Sequence, residues 1–430
     1  MTASKQPKPL YAFYSDDFTG STDVLEALAL HGVDSVLFTH LPEERDRAAF
    51  AHCRAIGIAG ESRSRDPRWM TRNLPAVFGL MRALGAAVNH YKVCSTFDSG
   101  PRVGSIGRAM ELGRAAFDAE FVPVVVCAPH LGRWVVFGNL YAAEEGLVYR
   151  IDRHPTMKQH PVTPMTEADL RLHLAMQTQM RMGLVDLTAF HAKRVEERLQ
   201  AEVAAGAEAV IFDGLDDAML DETARLTWER ASERPVFAVG SSGLTYGLLR
   251  NWRRLEMIDA PPQLCRPPKA DRLLVLSGSC SPVTKKQILR AKRQGFAALH
   301  LEGPAPWRVQ TRKALEMLER GQSVVLYTAL GPQPEDKEHG EAFGMALGNR
   351  LRELLLISNV RRIVVAGGDT STHAVKQLGL DALTFVAPLT PGAPLCRGYA
   401  PGSPLDGLEL VLKGGQIGPE ESFAQARDGE

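Results

Sequence analysis

Two adjacent carboxylates, Asp16 and Asp17, open the motif Ser15-Asp16-Asp17-Phe18-Thr19-Gly20 directly after the apolar run 11–14. Carboxylates at a strand's C-terminal end stand where open α/β sheets bind ligands, and there they can orient a hydroxyl or take its proton. Asp17 or Thr19 can also cap the helix that follows, but a cap needs only one such residue. A second cluster, Lys92, Ser95, Thr96, Asp98, Ser99 and Arg102, follows the run 91–94. Its cations suit a carboxylate, and its aspartate and hydroxyls suit other hydroxyls, so an anionic polyol fits both clusters. A third strand-end loop, Ala128-Pro129-His130-Leu131-Gly132-Arg133, offers His130 and Arg133 as substrate contacts.

The last third of the chain has a different signature. Three turns of small residues each follow an apolar run: Ser277-Gly278-Ser279-Cys280-Ser281, Gly367-Gly368-Asp369-Thr370-Ser371-Thr372 and Gly414-Gly415-Gln416-Ile417-Gly418. Such turns place N–H groups and hydroxyls at a strand end, and two of the three run into helical sequence, the usual way a backbone holds phosphate oxygens. Ser281 before Pro282 reads as an N-cap. One turn of this kind is an ordinary strand-helix junction, whereas three in one half point to an ATP-like ligand. Neither a Walker A lysine pattern nor a strand-to-helix GxGxxG occurs, which argues against the P-loop and dinucleotide classes. A fourth turn, Gly240-Ser241-Ser242-Gly243, fits either a binding loop or plain turn chemistry.

Elements must hold these clusters in place. Short β-branched or aromatic runs at 11–14, 36–39, 56–59, 91–94, 123–127, 210–213 and 237–239 alternate with helical patterns at 22–31, 69–84, 167–180, 195–205 and 244–255. After residue 271 the alternation resumes, with strands at 273–276, 298–301, 324–327 and 363–366 and helices at 283–293, 309–320 and 340–357. Strands alternating with helices predict an α/β protein of mainly parallel sheets flanked by helices. With 430 residues the expected plan is two domains, each with its own core: a substrate domain at 1–258, a Pro-rich linker at 259–270 and a nucleotide-binding domain at 271–430. The active site would lie in the cleft between them. Residues 328–337 and 392–404, rich in Gly and Pro, read as loops.

Composition narrows the partners. Lys plus Arg equals Asp plus Glu at 50 each, which argues against nucleic-acid and membrane-surface binding. No apolar stretch approaches the roughly 20 residues that span a bilayer, and no signal core follows the first residues, so the chain reads as cytoplasmic. The six cysteines have no close pair and read as reduced, mostly buried thiols. His154 and His160 flank prolines without further ligands at metal-site spacing and read as a solvated loop.

Taken with Lys92-Val93-Cys94-Ser95-Thr96-Phe97-Asp98-Ser99 and Lys413-Gly414-Gly415, these motifs run in order over nearly the whole chain, which resembles the four-carbon acid sugar kinase family. The resemblance implies an ATP-dependent kinase acting on the terminal 4-hydroxyl of a tetronate such as threonate, erythronate or 3-oxo-tetronate. Alternatives are a branched or oxidised acid sugar such as 3-oxo-isoapionate, or an acid-sugar sensor without turnover. It implies that Asp16, Asp17, Lys92, Asp98 and Arg102 face the sugar, to which the residue clusters add Ser95, Thr96, Ser99, His130 and Arg133 as substrate contacts. Ser279, Ser281, Gly367, Gly368, Asp369, Thr370, Gly414 and Gly415 would hold ATP, with Mg²⁺ bridging the phosphates. Asp17 is the favoured base, with Asp98 and Asp369 as competitors, and a homodimer is compatible with the family. The chain departs from the family pattern at Gly104-Ser105-Ile106-Gly107 and at Pro129-His130-Leu131-Gly132-Arg133, two loops expected to border the sugar.

Overall fold

The computed structural model describes residues 8–160, 162–302, 307–331 and 341–430, without the side chains of Glu341 and Asp369. The N-terminal part carries β1 (Tyr11–Ser15), β2 (Ser35–Phe38), β3 (Ala55–Ala59), β4 (Val88–Lys92), β5 (Val122–Val125), β6 (Arg133–Val136), β7 (Asn139–Glu144), β8 (Leu147–Arg150), β9 (Met182–Val185), β10 (Ala209–Phe212) and β11 (Val236–Gly240). The C-terminal part carries β12 (Leu274–Ser277), β13 (Ala297–His300), β14 (Val324–Tyr327), β15 (Arg362–Ala366), β16 (Ala382–Thr390), β17 (Ala393–Tyr399) and β18 (Glu409–Lys413). Residues 259–270 between them form no regular element.

Strands β1, β3 and β4 are buried along their whole length, as central parallel strands with both faces covered must be. Strand β1 lies parallel between β3 and β4, with Ser15 opposite Ala59 and Lys92. The loops that leave these strands therefore emerge side by side, although they lie far apart in sequence. The same holds in the other half, where β15 lies parallel between β12 and β18 and Ala366 pairs with Ser277 and Lys413. The three small-residue turns are neighbours for this reason.

Among the described residues the two halves share one 15-stranded sheet, in the order β13-β14-β12-β15-β18-β17-β16-β2-β3-β1-β4-β11-β5-β10-β9. The seam is an antiparallel pairing of β2 with β16, Phe38 with Ala382 and Leu37 with Leu383. Strand β16 is also antiparallel to β17, and β17 to β18. Three reversals leave the parallel strands of the C-terminal half running opposite to those of the N-terminal half. In a flat sheet β1 and β15, six spacings apart, would be separated by about 29 Å. Yet a Cβ added at Gly368, just after β15, would lie 3.9 Å from Asp17 Oδ2. The sheet is folded on itself, and register shifts in β16 between Phe385 and Ala387 and between Ala387 and Thr390 supply local bends. The helix Phe18–Leu30 fills the fold, packing on β3, β17 and the helix Gly368–Leu378.

Two separate cores were expected, but one hydrophobic cluster runs through both halves, joining Phe13 and Leu28 to Leu276 and Leu412. A second cluster, including Val275, Val364, Val411 and Phe423, covers the other face of the nucleotide side. Segment 392–404 is a loop only at Gly392 and over 400–404: Ala393–Tyr399 is β17, whose Leu395 and Cys396 are buried. The helix expected over 167–180 is confined to Leu170–Ala175, capped by Asp169, and β9 follows soon after. Strands β6, β7 and β8 form an antiparallel sheet of their own. The expected loop 328–337 lies outside the described residues from 332 onward. Cys53, Cys127 and Cys396 are buried, but Cys265 and Cys280 are exposed. His154 is buried rather than solvated, set edge-on to Tyr149.

Candidate active site

Asp17 is the N-cap of the helix Phe18–Leu30, and its Oδ1 accepts the Gly20 N–H at 2.6 Å. Its Oδ2 accepts from the Thr19 hydroxyl at 3.0 Å and from Arg63 Nη1 at 3.1 Å. Asp17 thus caps the helix and joins the carboxylate cluster through Arg63. The other nitrogen of the same guanidinium, Arg63 Nη2, donates to both oxygens of Asp98, at 2.9 and 2.7 Å. Asp98 also accepts from the Thr96 hydroxyl at 2.5 Å and the Thr163 hydroxyl at 3.1 Å. Burial by itself would raise the Asp98 carboxyl, but Arg63, then His160 and the hydrogen bonds, hold it far below the usual range. A carboxylate so fully bonded is a poor proton acceptor and a good anchor.

Asp16 is buried, and its Oδ1 has no hydrogen-bond partner. Burial and the neighbouring Asp17 push its carboxyl up to about 7, against the pull of Arg63 and Lys92. Lys92, also buried, has its ammonium 3.9 Å from Asp23 Oδ2, too far for a tight pair. Ser95 is buried beside this cluster, while Ser99 turns away, 2.9 Å from His173 Nε2. His130 packs on Tyr246 with ring centroids 4.4 Å apart. Arg133 spends Nη1 on nearby backbone, on the carbonyls of Leu131 and Gly132 in its own loop and of Ala143 on β7. Arg102 is exposed and, among the described residues, makes no ion pair with the cluster. The Ser241 turn is plain capping: its hydroxyl accepts from Gly243 N–H at 3.2 Å.

On the nucleotide side Ser281 caps the helix Pro282–Arg293, accepting the Val283 N–H at 3.1 Å, and the Ser279 hydroxyl accepts from Ser281 N–H. Gly367 has φ 116°, a conformation that only glycine adopts without strain. A Cβ there would be 3.3 Å from Ser279 N, and one on Gly278 would be 2.0 Å from Thr370 Oγ1. A Cβ on Gly415 would meet Ser279 Oγ at 2.6 Å. The three turns therefore touch one another. The third is fixed to the first helix by Thr284, which donates to Gly415 O, and by Gln287, which donates to the carbonyls of Ile417, Gly418 and Pro419. The Asp369 side chain lies outside the described residues.

Contacts across the two halves frame the site. Asp17 faces Gly368, and Lys376, on the helix that Gly368 begins, pairs with Glu61 at 2.6 Å. Glu61 also pairs with Arg65 at 2.9 Å and stands two residues from Arg63. Further out, Glu26 accepts the Gly392 N–H at 2.7 Å. Arg63 and Glu61 escaped the sequence reading because Glu61-Ser62-Arg63-Ser64-Arg65 looks like any polar loop. Its position after the apolar run 56–59, one strand from Asp17, was the available signal. Chemically, the arrangement sets anchored carboxylates, a loosely paired lysine and hydroxyls against a backbone cradle of the kind that can hold phosphate.

Residues 11–248 match the family model described as a sugar-binding N-terminal domain, and residues 274–423 match a nucleotide-binding C-terminal domain. The chain is 43% identical to a 3-oxo-isoapionate kinase of Paraburkholderia graminis, over 98% of this chain and 94% of that one. It is 30% identical to a 3-oxo-tetronate kinase of Cupriavidus necator, over 97% and 96%. Among solved structures, a Salmonella typhimurium LT2 protein 24% identical superposes with a TM-score of 0.76, covering 97% of this chain and 98% of that one.

Proposed function

The chain belongs to the four-carbon acid sugar kinase family and is a carbohydrate kinase, and on that premise we propose that it moves the γ-phosphoryl of ATP to the terminal hydroxyl of a branched 3-oxo acid sugar of the 3-oxo-isoapionate type. The observation that carries the reading of the site is the meeting of Asp17 with Gly368, which joins the carboxylate cluster of one half to the phosphate turns of the other. Phosphoryl transfer asks mainly for positioning and for neutralised charge. The sugar's hydroxyl oxygen bonds to the γ-phosphorus as the bond to the bridging oxygen of ADP breaks, and Asp17 accepts the hydroxyl proton. Lys92 pairs with the sugar carboxylate, and Arg63, anchored by Asp98, holds Asp17 in place. The turns at Ser279, Gly367 and Gly415 hold the phosphates.

Magnesium needs only one or two protein oxygens when nucleotide phosphates supply others. The unpartnered, buried Asp16 Oδ1 fits that need and would hold the ion. When bound, the ion would neutralise phosphate charge.

Support for the branched substrate comes from the 43% identical relative and from the loops at 104–107 and 129–133, where this chain departs from the family pattern. A coupled assay of ADP release over 3-oxo-isoapionate, 3-oxo-tetronate, threonate and erythronate tests it. The branched substrate is expected to give the highest kcat/KM, and faster turnover of a straight-chain tetronate would refute this choice. Binding of these acids with no ADP release from any of them would favour a sensor.

A further inference from the structure

The phosphate turns surround a buried cation that no anion answers. Lys413 ends β18, and only 2% of it is exposed. Its Nζ donates to Gly414 O at 2.9 Å and lies 3.5 Å from Thr284 Oγ1, both neutral groups. Among the described residues it joins no ion pair. An ammonium taken out of water without a counter-charge is costly, so such a position implies an anion that arrives later. The surroundings identify it: Lys413 is in register with Ala366, the residue before Gly367, and the three turns meet over these strand ends.

We propose that Lys413 receives a phosphate oxygen of the nucleotide, and that binding is accompanied by uptake of a proton at its side chain. This rests on the nucleotide reading given above. Burial alone brings the free amine down to about 7. Titratable side chains on the neighbouring elements are Cys280 in the first turn, Lys285 and Lys286 on the helix Pro282–Arg293, His373 on Gly368–Leu378, Glu26 on Phe18–Leu30 and Glu409 on β18. None of these adds to the shift, and the Asp369 side chain is outside the described residues. Above pH 7 much of the free protein would thus carry a neutral Lys413. A phosphate beside it favours the ammonium, so affinity falls as pH rises.

Calorimetric titration of the full chain with ADP, and with inorganic pyrophosphate to remove the nucleoside, tests this in paired buffers of different ionisation enthalpy. For ADP the range pH 7.5 to 9 lies above the terminal phosphate's own pKa of about 6; pyrophosphate still exchanges a proton there, so it reports affinity and not proton uptake. Wild type should take up close to one proton per ADP, with affinity falling by up to about tenfold per pH unit. Lys413→Met should lose the uptake and bind about 10- to 100-fold more weakly at pH 7.5. Its ligand-free unfolding temperature should equal or exceed wild type, because a buried amine with few partners is gone; a purely structural lysine would instead lower it. Wild-type binding without proton uptake overturns the proposal even if the variant does not fold, as does a folded Lys413→Met protein of wild-type affinity and uptake. Failure of wild type to bind both ADP and pyrophosphate overturns the nucleotide reading as well.

Discussion

One guanidinium organises the sugar-side carboxylates. Arg63 spans Asp17 and Asp98, and without it Asp98 would be a buried anion with only hydroxyls and His160 near it. Breaking a buried pair from one side costs about 3–5 kcal/mol. Arg63→Met should therefore lower the urea midpoint sharply, and adding Asp98→Asn should restore part of the loss. Additive losses in the double variant would mean that the pair is not coupled. At the same scale, Asp17→Asn should reduce kcat by about 100-fold or more while leaving ADP affinity intact, as expected when a base is removed. Normal turnover in that variant would shift the role of base to another residue, with Asp369→Asn the next variant to measure.

Strand order turns scattered motifs into sites. The turns at 277–281, 367–372 and 414–418 meet because β12, β15 and β18 are neighbours, and 16–17, 61–65 and 92–98 meet because β3, β1 and β4 are. Alternation of strands and helices was enough to expect this kind of layout, and most strands lie within two residues of their expected places. Strands β6 to β9, β16 and β17 were missed for a local reason: they are short or antiparallel, and Gly and Pro next to them read as loop. The contacts between turns carry a prediction. Gly278→Ala would place a Cβ 2.0 Å from Thr370 Oγ1 and push the first two turns apart. ADP affinity should fall by tenfold or so, about 1.4 kcal/mol, with unchanged far-ultraviolet circular dichroism. Retained affinity would show that the turns do not act together on the nucleotide.

At the level of the whole molecule, three antiparallel pairings and a folded sheet bring two oppositely directed halves face to face. Two links across them are open to test. Lys376 and Glu61 form a partly buried pair, and Lys376→Met should raise KM for the acid sugar several-fold while changing stability by about 1 kcal/mol or less. An unchanged KM would leave the pair without a role in setting the sugar site. Glu26 is pushed up to about 7, chiefly by burial, although the Gly392 N–H opposes the shift. Because the folded state then holds its proton more tightly than the unfolded chain, stability should decline as pH rises from about 4.5 to about 7. Glu26→Gln should remove that part of the decline and be more stable than wild type at pH 8. Urea midpoints of both proteins at pH 5 and pH 8 check the sign.

The sequence determined the α/β class, the three small-residue turns, the acidic motif and the family, because apolar periodicity and turn chemistry are local properties of the chain. It could not place Arg63, because a salt bridge between residues 46 and 35 positions apart leaves no local pattern. Nor could it mark Lys413, whose significance is the absence of a counter-charge in a buried place. The joining of two expected sheets into one was also invisible, since the seam rests on two paired residues between β2 and β16. Tertiary structure alone decided which charges lost their water and which partners they gained, because desolvation and pairing depend on distance in space rather than along the chain.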